Sequence, residues 1–299
     1  MIMRGNGPRV VRSVVVSFFI LIFAGSIFIL GSSNLKAQVE AWPSPVRIIY
    51  LPSIGKESTL ARFKPLSRHL EKVLGAPVES VSFDSYEEMI ANLSKGEFEI
   101  AYLSPSTYVE SGRIAKLEPV AMELDRFGNR GYHGLIICRS NSGYKSLQDV
   151  RGKTLAFTNP KSTSGFLVPL SYFMHELKET PDSFARKVVF AGDHQKVIKG
   201  VLNGAYDAGA TNDVDLNRTV MSEDISADSF RVIWTSDLIP GAPVCVRPDL
   251  PEGFKAAVIG ALIMFNKDKE GLNSLQTGGF AAANDKDYEM ARQLEGIKP

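Results

Sequence analysis

The sequence predicts an α/β protein made of two similar lobes with a cleft between them, and three observations carry that expectation. From Val46 onward, short β-branched runs alternate with longer amphipathic ones, the pattern of largely parallel sheets covered by helices. The alternation occurs twice, in the same order and with the same element lengths. Two further apolar, β-rich segments, Gly131 to Arg139 and Val232 to Val246, bracket the second occurrence.

In the first unit, Val46 to Leu51 reads as a strand, Pro52 to Ser58 as a loop, and a helix follows to about Leu74. Val78 to Phe83 is the next strand, Ser85 to Lys95 a helix and Phe98 to Leu103 a third strand. The second unit repeats this as strand Thr154 to Thr158, loop Asn159 to Ser164, helix Gly165 to Lys178, strand Lys187 to Ala191, helix Asp193 to Asn203 and strand Ala205 to Ala210. The last joints agree in detail: Gly96 and Gly204 each suit a left-handed cap, and an acid, Glu99 or Asp207, follows three places later. The bracketing segments are natural crossovers between lobes. They make lobe one discontinuous, about 46–133 plus 240–299, and lobe two about 134–236. Where two such lobes face each other, strand ends and helix N-termini converge, so function is expected there.

Composition narrows the function. The 299 residues, 44% apolar and 22% charged, suffice for two ordinary domains. Thirty-four basic and 33 acidic side chains leave a formal charge of +1, which creates no long-range field for nucleic acid or an acidic membrane. A charged ligand must be held by local groups. Cys138 and Cys245 sit in the apolar runs LIICR and VCVRP, which reads as two core thiols more than as a disulfide, and with no CxxC or Cys/His cluster neither a metal nor a cofactor is expected.

Arg4, Arg9 and Arg12 precede an uncharged stretch from Ser13 to Asn34 whose core, Val14 to Leu30, is almost wholly apolar, and Gly31, Ser32 and Ser33 follow. This is an export signal, which places everything after about residue 37 outside the inner membrane. Cleavage after Ala37 and retention of residues 1–37 as an anchor are both open, because the core is long for a signal peptide and short for a spanning helix. A retained helix would make the protein a membrane-tethered ligand sensor.

The sharpest motif is Asn159-Pro160-Lys161-Ser162-Thr163-Ser164-Gly165, between a strand and a helix beginning Phe166-Leu167-Val168-Pro169. Ser162, Thr163 and Ser164 stand where free amides and the positive end of a helix dipole lie, an arrangement suited to an oxyanion. A simple N-cap would explain one hydroxyl, not three in succession. The pseudo-symmetry sets the loop Pro52 to Ser58 and the strand end at Ser104, Ser106 and Thr107 opposite, with Tyr86 at the start of the next helix. His194 takes the matching turn of the second unit and can donate to an anion or simply cap and pack. Asp213 and Asp215 follow the third strand. An acid there either accepts from a protonated ligand oxygen or meets an amine, unless it is a solvated loop carboxylate. Ser162, His194 and Asp213 also suggest a nucleophilic triad, but Ser162 is not on a G-x-S-x-G elbow, so an enzyme is not expected.

At these residues the chain resembles the periplasmic phosphonate-binding protein family of ABC transporters, which includes phosphite- and hypophosphite-binding members. The matching stretches are NPKSTSGFLVP (159–169), AGDH (191–194), ATNDVD (210–215) and VIWTSDLIPGAPV (232–244), with looser similarity from Arg47 to Val109. The resemblance implies a type II periplasmic-binding-protein fold, two α/β lobes joined by two crossover strands, acting as a monomer that delivers a small phosphorus-containing anion to an ABC transporter permease. It implies that Ser162, Thr163 and Ser164 hold the phosphorus group, helped by Tyr86 and His194. In aminoalkylphosphonate-binding members an acidic pair receives the amine. Here Asp215, or Asp213 if the loop is shifted, stands for one acid, whereas Ala242 in the turn Pro240 to Pro243 stands where the other would be, and Leu103 replaces a phenol found in some members. Both departures favour phosphite, methylphosphonate or phosphate over 2-aminoethylphosphonate.

Overall fold

The computed structural model describes residues 41–297; the export-signal segment lies outside them. The first sheet begins with β1 (Val46–Tyr50), α1 (Lys56–Leu74), β2 (Val78–Val81), α2 (Tyr86–Leu93), β3 (Ile100–Tyr102), α3 (Pro105–Gly112) and β4 (Glu118–Leu124). Along α1 the buried positions Thr59, Phe63, Leu66, Ser67, Leu70 and Leu74 recur at helical spacing, and Gly75 ends the helix in the left-handed conformation (φ 67°).

The chain then builds a second sheet from β5 (Gly131–Arg139), β6 (Thr154–Phe157), α4 (Val168–Tyr172), α5 (Pro181–Phe184), β7 (Lys187–Phe190), α6 (His194–Leu202), β8 (Ala208–Asn212), α7 (Asp213–Ser222) and β9 (Phe230–Pro240). It returns with β10 (Pro243–Val246), α8 (Glu252–Phe265), α9 (Lys269–Leu275), β11 (Gly279–Ala282) and α10 (Glu289–Gln293). The six-stranded sheet has the order β11-β4-β10-β3-β1-β2 and the five-stranded sheet β7-β6-β8-β5-β9. Each contains the same motif, a parallel β2-β1-β3 or β7-β6-β8 set closed by an antiparallel strand, β10 or β5, that arrives from the crossover region.

Each sheet has its own core. Ile48, Tyr50, Phe63, Phe98, Phe254 and Phe280 pack around the first. On the second, β5 buries both faces: Ile136 and Cys138 meet Phe157, Phe166 and Phe173, whereas Leu135 and Ile137 meet Ile198 and Val201. That two-sided burial is why the run LIIC is uninterrupted rather than alternating. Cys138 and Cys245 are buried free thiols in different cores.

The crossovers differ in detail from the expected segments. β5 lies wholly in the second sheet, and residues 125–130 make the passage. Val232 to Val246 does change sheet, at Gly241-Ala242 between β9 and β10. The two passages run side by side, Gly241 donating its N–H to the carbonyl of Arg130 (3.1 Å). Glycine is needed at 241, since a Cβ there would lie 2.0 Å from the carbonyl oxygen of Glu123.

The helix expected from Gly165 to Lys178 also differs. It starts at Thr163 as a π-helical turn (Thr163–Leu167), passes through α4 and ends in a second π-helical turn (Phe173–Leu177). Pro169 has no N–H for the carbonyl of Gly165 four residues before it. That carbonyl instead accepts the N–H of Thr158 at 3.2 Å, while Leu167 donates to Ser162 five residues back (3.0 Å). The wider turn is thereby tied to the end of β6. Gly165 permits the approach, because a Cβ at that position would meet Thr158 Oγ1 at 2.0 Å.

Candidate functional site

Five helix starts converge on the crevice between the sheets. Ser85, Ser104, Ser162, Asp193 and Asn212 are their N-caps, each accepting a backbone N–H with its side chain. The cavity they surround is lined by Leu51, Ser53, Tyr86, Tyr102, Ser104, Glu123, Tyr132, Ser162, Thr163, Ser164, His194, Asn212, Asp215, Arg218 and Ala242, among others. Its volume is about 50 Å³, several times the 10–15 Å³ that one water requires and suited to a ligand of a few heavy atoms.

The three consecutive hydroxyls are buried and all engaged in the same way. Ser162 Oγ accepts the N–H of Gly165 (3.1 Å), Thr163 Oγ1 accepts the N–H of Ser106 (2.9 Å), and Ser164 Oγ accepts from Asn212 Nδ2 (3.2 Å). A hydroxyl whose oxygen is already occupied by a donor has its own proton to give. The arrangement therefore offers three O–H donors at the positive end of a helical segment, a site for an acceptor-rich, anionic group.

The aromatic residues add neutral donors. Burial raises the Tyr86 phenol well above its ordinary 10.0, Asp215 adds to the rise, and the Ser162 hydroxyl opposes it. Tyr132 is likewise raised by burial, opposed by Ser164. Both stay protonated. His194 Nδ1 lies 3.0 Å from Thr211 Oγ1 and Nε2 lies 3.4 Å from Ser162 Oγ. Burial pushes the imidazole below its ordinary 6.5 although Asp215 and Asp193 pull it up, so it is neutral at pH 7.

A charged network occupies the other side of the cavity. Glu123, on β4, accepts from Arg62 Nη2 (2.6 Å), from Arg218 Nη2 (2.7 Å) and from the hydroxyl of Tyr102. Asp215 accepts from Arg218 Nη1 (3.3 Å) and from Asn212 Nδ2 (2.9 Å). Burial would raise both carboxyls. The two arginines reverse this for Glu123, and His194, Arg218, Arg62 and the Asn212 amide reverse it for Asp215, so both acids are ionised. Two carboxylates and two guanidinium groups cancel, which leaves attraction for an anion to the neutral donors.

Several contacts span the crevice. Besides Ser106 to Thr163 and Arg218 to Glu123, His194 donates its N–H to the carbonyl of Ser53 (2.9 Å), Asn159 Nδ2 donates to Glu87 Oε1 (3.1 Å), and Lys161 pairs with Glu110.

Of the residues expected from sequence, Tyr86, Ser104, Ser162, Thr163, Ser164, His194 and Asp215 all line this cavity. Asp213 is not among its lining residues: its carboxylate accepts the N–H groups of His133 (3.1 Å) and Val214 (2.8 Å). The triad geometry does not assemble, since His194 Nδ1 faces Thr211 and the nearest acid, Asp215, lies 3.8 Å from Nε2, the nitrogen already turned to Ser162. Leu103 is a core residue, and the adjacent Tyr102 supplies a phenol to the cavity. Ala242 does line the cavity, but a second acid is present all the same, contributed by Glu123. Glu123, Arg62, Arg218 and Tyr132 had no signal in the sequence. Among the described residues, no three His, Cys, Asp or Glu side chains converge as metal ligands would.

Residues 48–288 match the model of a family described as ABC transporter, phosphonate, periplasmic substrate-binding protein. The phosphate-import protein PhnD of Mycolicibacterium smegmatis is 30% identical over 216 residues, 69% of this chain and 67% of that protein. Two solved structures share the fold. A binding component of a phosphonate ABC transporter from Pseudomonas aeruginosa has a TM-score of 0.78 at 24% identity, covering 85% of this chain and 86% of its own. PhnD1 of Prochlorococcus marinus, solved with methylphosphonate, has a TM-score of 0.74 at 18% identity, covering 83% and 96%. The chain thus belongs to the periplasmic substrate-binding proteins of phosphonate ABC transporters, with the type II fold of that family, and works outside the cytoplasmic membrane.

Proposed function

We propose that the ligand of this phosphonate-family binding protein is a small phosphorus oxyanion with a short, uncharged substituent or none: phosphite, methylphosphonate or phosphate. The observation that carries the reading is the set of three hydroxyls at Ser162, Thr163 and Ser164, each with its oxygen occupied by an N–H and its proton available. Tyr86, Tyr132 and His194 complete the donor set, and Ser104 closes the cavity from the opposite lobe. Asp215 discriminates by protonation state, accepting from a protonated ligand oxygen. Each charge-assisted bond contributes about 1.5–3 kcal/mol, so four or five of them sustain tight binding after the cost of association. The cavity of about 50 Å³ supports a compact ligand over a long-tailed one.

The lobe built on the first sheet and the lobe built on the second close on the ligand by bending at the paired passages near 125–130 and 241–242, and the closed form is what the permease reads. Residues 1–37 export the chain, either cleaved after Ala37 or kept as an anchor. The protein acts as a monomer, delivering its ligand to the transporter without chemical change.

Calorimetric titration with phosphite, methylphosphonate and phosphate, with acetate as a control, tests this. The expected result is binding of at least one phosphorus oxyanion and none of acetate, with a matching rise in Tm. Absence of heat and of stabilisation with all three would contradict the reading.

A further inference from the structure

We propose that Arg218 is a built-in counter-cation that sets the ligand specificity of the cavity, taking the place that a ligand ammonium group would otherwise occupy between Glu123 and Asp215. The inference rests on the phosphorus-oxyanion reading and adds to it the residue that decides which substituents are admitted.

The cavity lined by the three hydroxyls is also lined by Glu123, Asp215 and Arg218. All three side chains are buried, with exposures of 6–8%. Asn212 Nδ2 touches both Ser164 Oγ (3.2 Å) and Asp215 Oδ2 (2.9 Å), so the acid is one amide away from the oxyanion cradle. Two buried carboxylates so close to an anion site would repel the ligand or demand a cation. A ligand amine would satisfy them. Instead Arg218, which comes from lobe two in the second turn of α7, spans them through Nη1 to Asp215 Oδ1 (3.3 Å) and Nη2 to Glu123 Oε1 (2.7 Å).

The remaining carboxylate oxygens carry partners too. Glu123 Oε1 takes Arg62 as well (2.6 Å), Oε2 takes the hydroxyl of Tyr102, and Asp215 Oδ2 takes Asn212. An ammonium group entering the cavity therefore meets acids whose charge is already balanced by arginine, and beside them a guanidinium of its own sign. The Nε–H of Arg218 is buried without a partner, so this cation keeps one donor unspent and brings no acceptor of its own for an amine. An uncharged tail meets no such repulsion. A protein with these acids and no arginine at this position would select aminophosphonates; with Arg218 the preference is reversed.

The test uses ethylphosphonate and aminomethylphosphonate, which have the same heavy-atom skeleton and differ in a terminal methyl or ammonium group. Calorimetry on the wild type should show ethylphosphonate bound at least about tenfold more tightly, since like charges placed together are strongly disfavoured. In Arg218→Ala the ratio should shift by about 100-fold or more toward aminomethylphosphonate. Arg218→Lys, which keeps the charge and loses the fork, should retain the wild-type preference, a result that a purely structural role would not give. Equal binding of the two ligands by the wild type would overturn the inference whether or not any variant folds, as would an unchanged ratio in Arg218→Ala. Failure of the wild type to bind methylphosphonate, phosphite or phosphate would overturn the functional reading and this inference together.

Discussion

The two strand-to-helix junctions that the duplicated unit places in equivalent positions share topology and differ in chemistry. After β1 the chain runs through Leu51 to Gly55, and α1 begins with Gly55 as an N-cap that has no side-chain bond to give. Ser53 meets the other lobe with its carbonyl, accepting the N–H of His194. After β6 the chain runs through Asn159 to Ser162, whose hydroxyl caps a π-helical turn that carries the other two, Thr163 and Ser164. The first junction presents an acceptor to the crevice and the second presents donors. Duplication supplies a symmetric frame, and the side chains at one loop give it a pole that an anion can recognise.

The first way to break this comparison is at the ionic contact between the lobes. Glu123 is the acceptor for Arg62, Arg218 and Tyr102 at once, so Glu123→Ala leaves two buried guanidinium groups without their shared partner. A loss of about 3–5 kcal/mol in denaturant unfolding is expected. The exposed pair of Arg113 and Glu295 provides the contrast: Glu295→Ala should cost less than about 1 kcal/mol. Comparable costs for the two variants would show that Glu123 is not a strut between the lobes.

A smaller effect sharpens the donor side. His194 is buried and held neutral below its ordinary 6.5. As the pH falls through 6.5 the unfolded chain binds a proton that the folded chain refuses, so stability decreases toward acid, by up to about 1.4 kcal/mol per pH unit from this group. Unfolding at pH 7.5 and 5.5 should show a larger loss for the wild type than for His194→Gln. Identical losses would mean that the imidazole is not buried against the Ser162 hydroxyl as described.

Much of the fold was legible because it is written in local periodicity. The alternation at Val46 to Leu103, repeated at Thr154 to Ala210, identifies both three-stranded parallel sets, and the hydroxyl run at 162–164 stands out since one N-cap needs one hydroxyl. What was not legible depends on long-range pairing. Glu123 and Arg218 are 95 residues apart and meet across the crevice, and nothing near either residue announces the other. The second acid, read as missing because Ala242 stands in the 240–243 turn, arrives from β4 as Glu123. The choice between Asp213 and Asp215 depended on where α7 begins: Asn212 caps the helix by accepting the N–H of Asp215, which turns Asp215 inward and leaves Asp213 to cap His133 and Val214. The π-helical start at Thr163 follows from Pro169 and the Thr158 to Gly165 bond, a tertiary contact that helical periodicity does not encode.

The central claim, that the donors of one junction and not the acceptor of its counterpart grip the ligand, is tested most directly by titrating methylphosphonate into Ser164→Ala and Ser53→Ala. Loss of one charge-assisted bond, worth about 1.5–3 kcal/mol, should weaken Ser164→Ala by about 10- to 100-fold. Ser53 contributes its backbone carbonyl, so Ser53→Ala should change affinity by less than about twofold. Wild-type affinity in Ser164→Ala, or a greater loss in Ser53→Ala, would contradict the account.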